Sequence, residues 1–149
     1  MEFHIRIKSW NDLTIQELYA MIQLRELVFV VEQKCAYLDA DGKDLYAHHA
    51  MWVENDTCLA CARILPPGIS YDEWSIGRLV THSSVRRSGH GKGIMRAVMQ
   101  WLKNHGAKKI RISAQSYLLD FYESFGFEIV GEEYLEDGIP HIEMIFTPQ

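Results

Sequence analysis

Arg86-Arg87-Ser88-Gly89-His90-Gly91-Lys92-Gly93 separates an apolar stretch patterned as a strand from one patterned as a helix. Glycine has no Cβ, so this backbone can turn sharply and approach a ligand closely. The first amides of a helix lack intrahelical acceptors, and the macrodipole places about half a positive charge beside them. Such a corner suits phosphate oxygens. Arg86, Arg87 and Lys92 add positive charge locally, in a chain with 20 acidic against 15 basic residues and a formal net charge of −5. Other phosphate loops fit less well. A Walker loop needs Gly-Lys followed by Ser or Thr, whereas Lys92 precedes Gly93, and a dinucleotide fingerprint needs Gly-x-Gly-x-x-Gly, whereas these glycines alternate.

Outward from the loop, Glu73 to Thr81 reads as the strand before it, and Ile94, Ala97, Val98, Trp101 and Leu102 form the apolar stripe of the helix after it, ended by Gly106. Toward the N-terminus, His49 to Glu54 and Thr57 to Leu65 are strands joined at Asn55-Asp56, and Pro66-Pro67-Gly68 stops the second. Phe3 to Ile7 alternates as a first strand, and Thr14 and Glu17 fit a capping box for a helix running toward Phe29. Tyr37 to Tyr46 is a polar, acidic loop. Toward the C-terminus come a strand at Lys109 to Ser113, a short helix at Leu118 to Phe125 closed by Gly126, and strands at Phe127 to Glu133 and His141 to Thr147. This order predicts an α/β (α+β) fold, one mixed and mostly antiparallel sheet with helices on both faces.

The 149 residues suit one domain, 1–149, and the 48% hydrophobic content suits a packed core. No run reaches membrane-helix length, and Met1-Glu2-Phe3-His4 lacks the basic and apolar regions of a secretion signal, so the expected location is cytoplasmic. Three cysteines, Cys35, Cys58 and Cys61, argue against a disulfide framework. Cys58 and Cys61 lie three apart in a strand, which directs them to opposite faces as reduced thiols. Asp39, Asp41 and Asp44 do not make a calcium loop, since the glycine falls too early and Ala50 stands where a bidentate Glu is needed. They are either a solvated turn or a rim attracting a cationic amine. No metal is expected. The acidic balance argues against nucleic acid. A homodimer is allowed, and nothing requires one.

With these elements in place, the chain resembles the GCN5-related N-acetyltransferase (GNAT) superfamily over nearly its whole length. The family's pyrophosphate loop, Gln/Arg-x-x-Gly-x-Gly/Ala, is matched by Arg86, Gly89 and Gly91, and the preceding apolar triplet by Leu79-Val80-Thr81. A second signature, Tyr-x-x-x-Gly-Phe, is matched by Tyr122, Gly126 and Phe127. Within the family the chain is similar to the ElaA-like group, through Val28-Phe29-Val30-Val31-Glu32-Gln33, Asp39-Ala40-Asp41-Gly42-Lys43-Asp44 and Glu136-Asp137-Gly138-Ile139-Pro140-His141. Arg87 departs from the pattern, because many members have glycine there. The resemblance implies the GNAT acyl-CoA N-acyltransferase fold, with acetyl-CoA as donor. The amides of Arg87, Ser88, Gly89, His90, Gly91 and Lys92 would surround its pyrophosphate, and the backbone of Leu79, Val80 and Thr81 would pair with its pantetheine arm like an added strand.

Acyl transfer to an amine needs an uncharged nucleophile, a polarised thioester carbonyl and a proton for the departing thiolate. A backbone N–H near Val80 suits the carbonyl. The resemblance places the Tyr122 phenol near the leaving sulfur, where its ordinary pKa of about 10 keeps it protonated as a general acid. For the base, His49 and Glu32 are the first candidates, with His48, Asp41, Asp44, His82 and His141 competing. The expected activity is transfer of acetyl to a primary amine in a ternary complex. Two rivals remain open: an acyl-homoserine lactone synthase-like enzyme, suggested by Arg25-Glu26-Leu27-Val28-Phe29 and the acidic loop, and a noncatalytic acyl-CoA sensor.

Overall fold

Thr14 opens the first helix, α1 (Ile15–Arg25), with the expected capping box: its hydroxyl accepts from the Glu17 amide at 3.0 Å, and the Glu17 carboxylate accepts from the Thr14 amide at 2.9 Å. The computed structural model describes residues 4–148, so Phe3 lies outside the described residues. The helix does not continue as an α-helix to Phe29. It widens into a π-helical segment, Glu26–Glu32, in which the Gln33 amide reaches back to the Val28 carbonyl at 3.0 Å. Val28-Phe29-Val30-Val31 is a run of poor helix formers, and π-turns gather at functional sites.

Among the described residues seven strands form one sheet: β1 (Ile5–Ser9), β2 (His48–Glu54), β3 (Thr57–Leu65), β4 (Trp74–Thr81), β5 (Ile110–Gln115), β6 (Glu128–Glu136) and β7 (Ile139–Phe146), in the order β1-β2-β3-β4-β5-β7-β6. Asn55 and Asp56 turn the β2–β3 hairpin with φ of +50° and +62°, and Asp137 and Gly138 turn β6–β7 with +53° and +76°. Two consecutive left-handed residues match the twist of antiparallel strands. The exception to antiparallel pairing is β4 with β5. These run parallel and touch at Trp74–Ile110 and Ser75–Arg111, then part. The mixed, mostly antiparallel sheet is therefore as expected, and it is split on one side.

Helices cover both faces. On one, α2 (His90–Asn104) and α3 (Leu119–Glu123) close the larger core. Ile94, Met95, Val98 and Leu102 of α2 are fully buried there, each contributing about 2 kcal/mol of transfer free energy. Gly106 ends α2 with φ +74° as its sequence position predicted, its amide bonding the Lys103 carbonyl at 3.1 Å while that of Ala107 bonds Leu102 at 3.0 Å. On the other face α1 packs Ala20, Met21 and Leu24 over Met51, Cys58, Cys61 and Val80.

Two bulges change which face a side chain meets. The β2–β3 register shifts so that Cys58 pairs with Val53 while Ala60 pairs with Trp52, leaving Leu59 as the extra residue. Cys58 and Cys61 therefore share the α1 face, correcting the expectation of opposite faces. Both are free thiols, and Cys58 together with burial pushes the Cys61 thiol up. In the β3–β4 pair the register shifts between Cys61–Val80 and Arg63–Gly77, so two residues, Arg78 and Leu79, oppose one. Without this bulge Val80 would follow Trp74 and Ile76 into the larger core. With it, Arg78 and Val80 turn to the α1 face, and Leu79 and Thr81 to the α2 face.

Candidate active site

Where β4 and β5 part, a cleft of about 890 Å³ opens through the sheet, bordered by the Arg86–Lys92 loop, the π-segment, α3 and the β6–β7 tip. Strand alternation sets what β4 offers it. The His82 amide bonds the Leu59 carbonyl on β3 at 2.8 Å, so the main-chain groups of Leu79 and Thr81 face the gap. Arg86 confirms the direction, since its Nη2 donates to the Thr81 carbonyl at 3.2 Å. Val80 keeps its backbone toward β3 and its side chain beneath α1, so of the three expected strand residues it is the one whose main chain does not face the gap.

Gly89 caps α2 with φ +88°. Among the described residues the amides of Arg87, Gly89, His90, Gly91 and Lys92 have no acceptor within the chain. The Ser88 amide is already given to the Val85 carbonyl at 3.1 Å, so of the six expected amides this one is not free. Arg87 takes the left-handed conformation, φ +68°, that its glycine-favouring position demands. The Arg86 guanidinium, expected among the donor-binding groups, instead grips Glu32 at 2.9 and 2.6 Å. Beside that pair, the Gln33 and Gln115 amides bond each other reciprocally at 3.2 and 3.3 Å. The end of the π-segment is thus tied to both banks of the cleft.

Tyr122 sits on α3, 8% exposed, and lines the cleft. Burial, with Tyr117 nearby, raises its phenol well above the ordinary value, so it stays protonated at any physiological pH. Phe121 and Phe127 pack against its ring at 5.3 and 6.0 Å.

The remaining candidates separate by position. His49 is fully buried away from the cleft, its Nε2–H donating to the Asp44 carbonyl at 2.9 Å, and burial lowers its pKa. It is not placed to meet a substrate, which corrects its assignment as base. Glu32 lines the cleft, but its bond to Arg86 holds its carboxyl below the usual range and occupies both oxygens. That makes it a strut and a poor proton acceptor. His48 packs tilted against Trp101, 4.6 Å between ring centroids, and the His82 Nδ1 accepts from the Ser84 amide at 3.1 Å. Neither lines the cleft.

The acidic loop is neither a solvated turn nor a cation-attracting rim. Arg25 bonds Asp39 at 2.8 Å and Asp44 at 2.9 Å, Arg63 bonds Asp41 at 2.8 Å and Asp44 at 3.2 Å, and Arg78 approaches Asp39 at 2.8 Å and Asp41 at 3.3 Å. Three arginines from α1, β3 and β4 neutralise three aspartates. Burial would raise the Asp41 carboxyl, but Arg63 and the Lys43 amide bring it down to about 2. The network clamps the loop beneath the base of the π-segment.

The charges left over give the cleft polarity. Arg87 and Lys92, at one end, and Asp137, at the other, have no charged partner among the described residues, and Glu136 has only His141. One end suits a pyrophosphate and the other an ammonium group.

A sheet split between two parallel strands, with bare amides at the following helix, agrees with the family model that matches residues 43–148, the acetyltransferase (GNAT) domain. The chain belongs to the GNAT family. It is 41% identical over 137 residues to protein ElaA of Escherichia coli (strain K12), covering 90% of each chain. A crystal structure of ElaA from Escherichia coli superposes with TM-score 0.89 at 38% identity, covering 95% of this chain and 97% of that one. The crystal structure of an acyl-CoA N-acyltransferase from Pseudomonas aeruginosa has TM-score 0.90 at 41% identity, covering 96% and 98%. This GNAT protein is thus ElaA-like in sequence and in fold. No helix among its described residues is long and apolar enough to cross a membrane.

Proposed function

We propose that this GNAT protein is an acetyl-CoA-dependent N-acetyltransferase that joins acetyl-CoA and a primary amine in one ternary complex. The observation that carries the reading is the set of unclaimed amides at Arg87, Gly89, His90, Gly91 and Lys92, beside a β4 edge whose Leu79 and Thr81 main-chain groups face an open gap. The pyrophosphate sits on those amides with Arg87 and Lys92 around it, and the pantetheine arm runs into the split as an extra strand. A main-chain N–H of the bulged edge polarises the thioester carbonyl. Tyr122 protonates the leaving sulfur.

Two measurements test this. Calorimetry with coenzyme A and acetyl-CoA reads donor uptake, and thiol release against a panel of amines reads transfer. Tyr122→Phe is expected to lower kcat on the order of 10²-fold, the usual scale of general-acid catalysis, while leaving acetyl-CoA affinity intact. No uptake of either thioester or free coenzyme A removes the reading. Uptake with no thiol release against any amine favours a binding protein.

A further inference from the structure

His141 lies on β7 beside Gln115, at the end of β5 farthest from its contact with β4, where the split is widest. The bulge and the strand parity set its surroundings. Ile110, Ile112 and Ala114 of β5 and Met144 of β7 enter the core beneath α2 and α3, so His141 and Gln115 face the opposite side, the side of the π-segment. Tyr122 comes from the α3 side. The acid and His141 therefore belong to opposite faces of the sheet and meet only through the gap, where both line the cleft.

The hydrogen bonds of the ring define its tautomer. His141 is 6% exposed, and its Nδ1 lies 2.7 Å from the Ile139 carbonyl, an atom that only accepts, so Nδ1 carries a hydrogen and, in the neutral ring, Nε2 has the lone pair. Nε2 lies 3.5 Å from the Glu136 carboxylate. Tyr134 stacks on the ring at 6.1 Å and is itself hydrogen-bonded to Ser113. Asp137 and Cys35 close the tip, where the Cys35 thiol donates to the Asp137 carbonyl at 3.5 Å. The groups against His141 are Glu136 and Tyr134 from β6 and neutral Gln115 from β5, while Asp137, the Cys35 thiol, the Tyr37 phenol and the Arg78 guanidinium line the same cleft. His49, which donates through Nε2 to a carbonyl in a closed network, has the reverse arrangement.

From this geometry we infer that His141 is the general base of the transferase described above, on which the inference rests, with Glu136 positioning the imidazolium it becomes. The acceptor ammonium gives a proton to Nε2 and becomes a free amine. Its nitrogen forms a bond to the thioester carbon, and the carbon–sulfur bond then breaks. The thiolate takes the Tyr122 proton, the new N-acylated nitrogen returns its surplus proton to the Tyr122 oxygen, and the imidazolium releases its proton to water past Glu136. The balance is one ammonium and one thioester in, one amide, one thiol and one proton out.

The test pairs kinetics with a reading that needs no acceptor. Thiol release is followed with spermidine, glucosamine, kanamycin and an unblocked peptide as probes, for the wild type and for His141→Gln. The variant is expected to bind acetyl-CoA as the wild type does, to lose on the order of 10²-fold in kcat/KM near neutrality, and to recover as rising pH deprotonates the amine unaided. Long-range proton–nitrogen spectra of the imidazoles are expected to show His141 as the Nδ1–H tautomer. An Nε2–H tautomer, or a variant with the wild-type rate and pH profile, overturns the assignment and leaves the transferase reading standing. A wild type silent toward every probe counts against the transferase reading, and the tautomer then decides the geometry alone. A merely structural His141 would change stability and the rate at all pH values alike, without altering the slope of the profile.

Discussion

Arg25→Met probes the clamp that holds the acidic loop under the π-segment. Arg25 is 1% exposed, and Asp39 and Asp44, its partners at 2.8 and 2.9 Å, are each 7% exposed. Methionine fills much of the space but leaves two buried carboxylates short of a cation. Removing one partner from a buried ion pair costs about 3–5 kcal/mol. Asp44 retains Arg63 at 3.2 Å, and Asp39 retains Arg78 at 2.8 Å. The loss therefore belongs at the lower end, about 3 kcal/mol, which for a chain of this size lowers Tm by roughly 6–12 °C. The pH dependence carries the sign. Burial would raise the Asp44 carboxyl, but Arg25 and Arg63 hold it below its ordinary range. A depressed folded-state pKa contributes stability that is complete above the unfolded value, about 4, and is lost as pH falls through the folded one. The wild type gives up this contribution on acidification, whereas the variant has little of it to lose. Urea denaturation followed by circular dichroism at pH 7 and at about pH 3.5 should thus show a gap that narrows in acid. A loss below about 1 kcal/mol at pH 7, or a gap unchanged by acid, refutes the reasoning.

Gly93→Ala should destabilise the fold by about 1–3 kcal/mol despite alanine's better helix propensity, because its Cβ would stand 2.9 Å from Cζ3 of the buried Trp52; a higher melting temperature would show that α2 and β2 are not in such close contact. Arg87→Gly removes a side chain from a left-handed position at φ +68° and should leave stability unchanged or raise it by up to about 1 kcal/mol. The same variant should bind acetyl-CoA more weakly and with a shallower salt dependence, measured by calorimetry, and identical salt slopes would exclude Arg87 from the donor's electrostatics.

The sequence by itself determined the features whose causes lie within a few residues. The capping box at Thr14 and Glu17, the Asn55-Asp56 hairpin, the Gly89 entry to α2 and the Gly106 exit all depend on local conformation and on local hydrogen bonds, so they were legible without the fold. The unclaimed amides of the Arg87–Lys92 loop belong to the same class, apart from Ser88, whose amide is spent on the turn itself. Tertiary structure alone decided which side chains meet. A one-residue bulge at Leu59 brought Cys58 and Cys61 to one face, and another at Arg78 and Leu79 sent Arg78 to the aspartates, because strand register is set by the partner strand and reverses every face beyond the slip. The same limit explains the acids and the histidines. Asp39 and Asp44 meet Arg25 across 14 and 19 residues of chain, so their charges looked unpaired until the loop was folded back. His49 and His141 are alike as letters and both are buried, and only the packing around them sets one against the Asp44 carbonyl, away from the cleft, and the other in the cleft's lining beside Glu136.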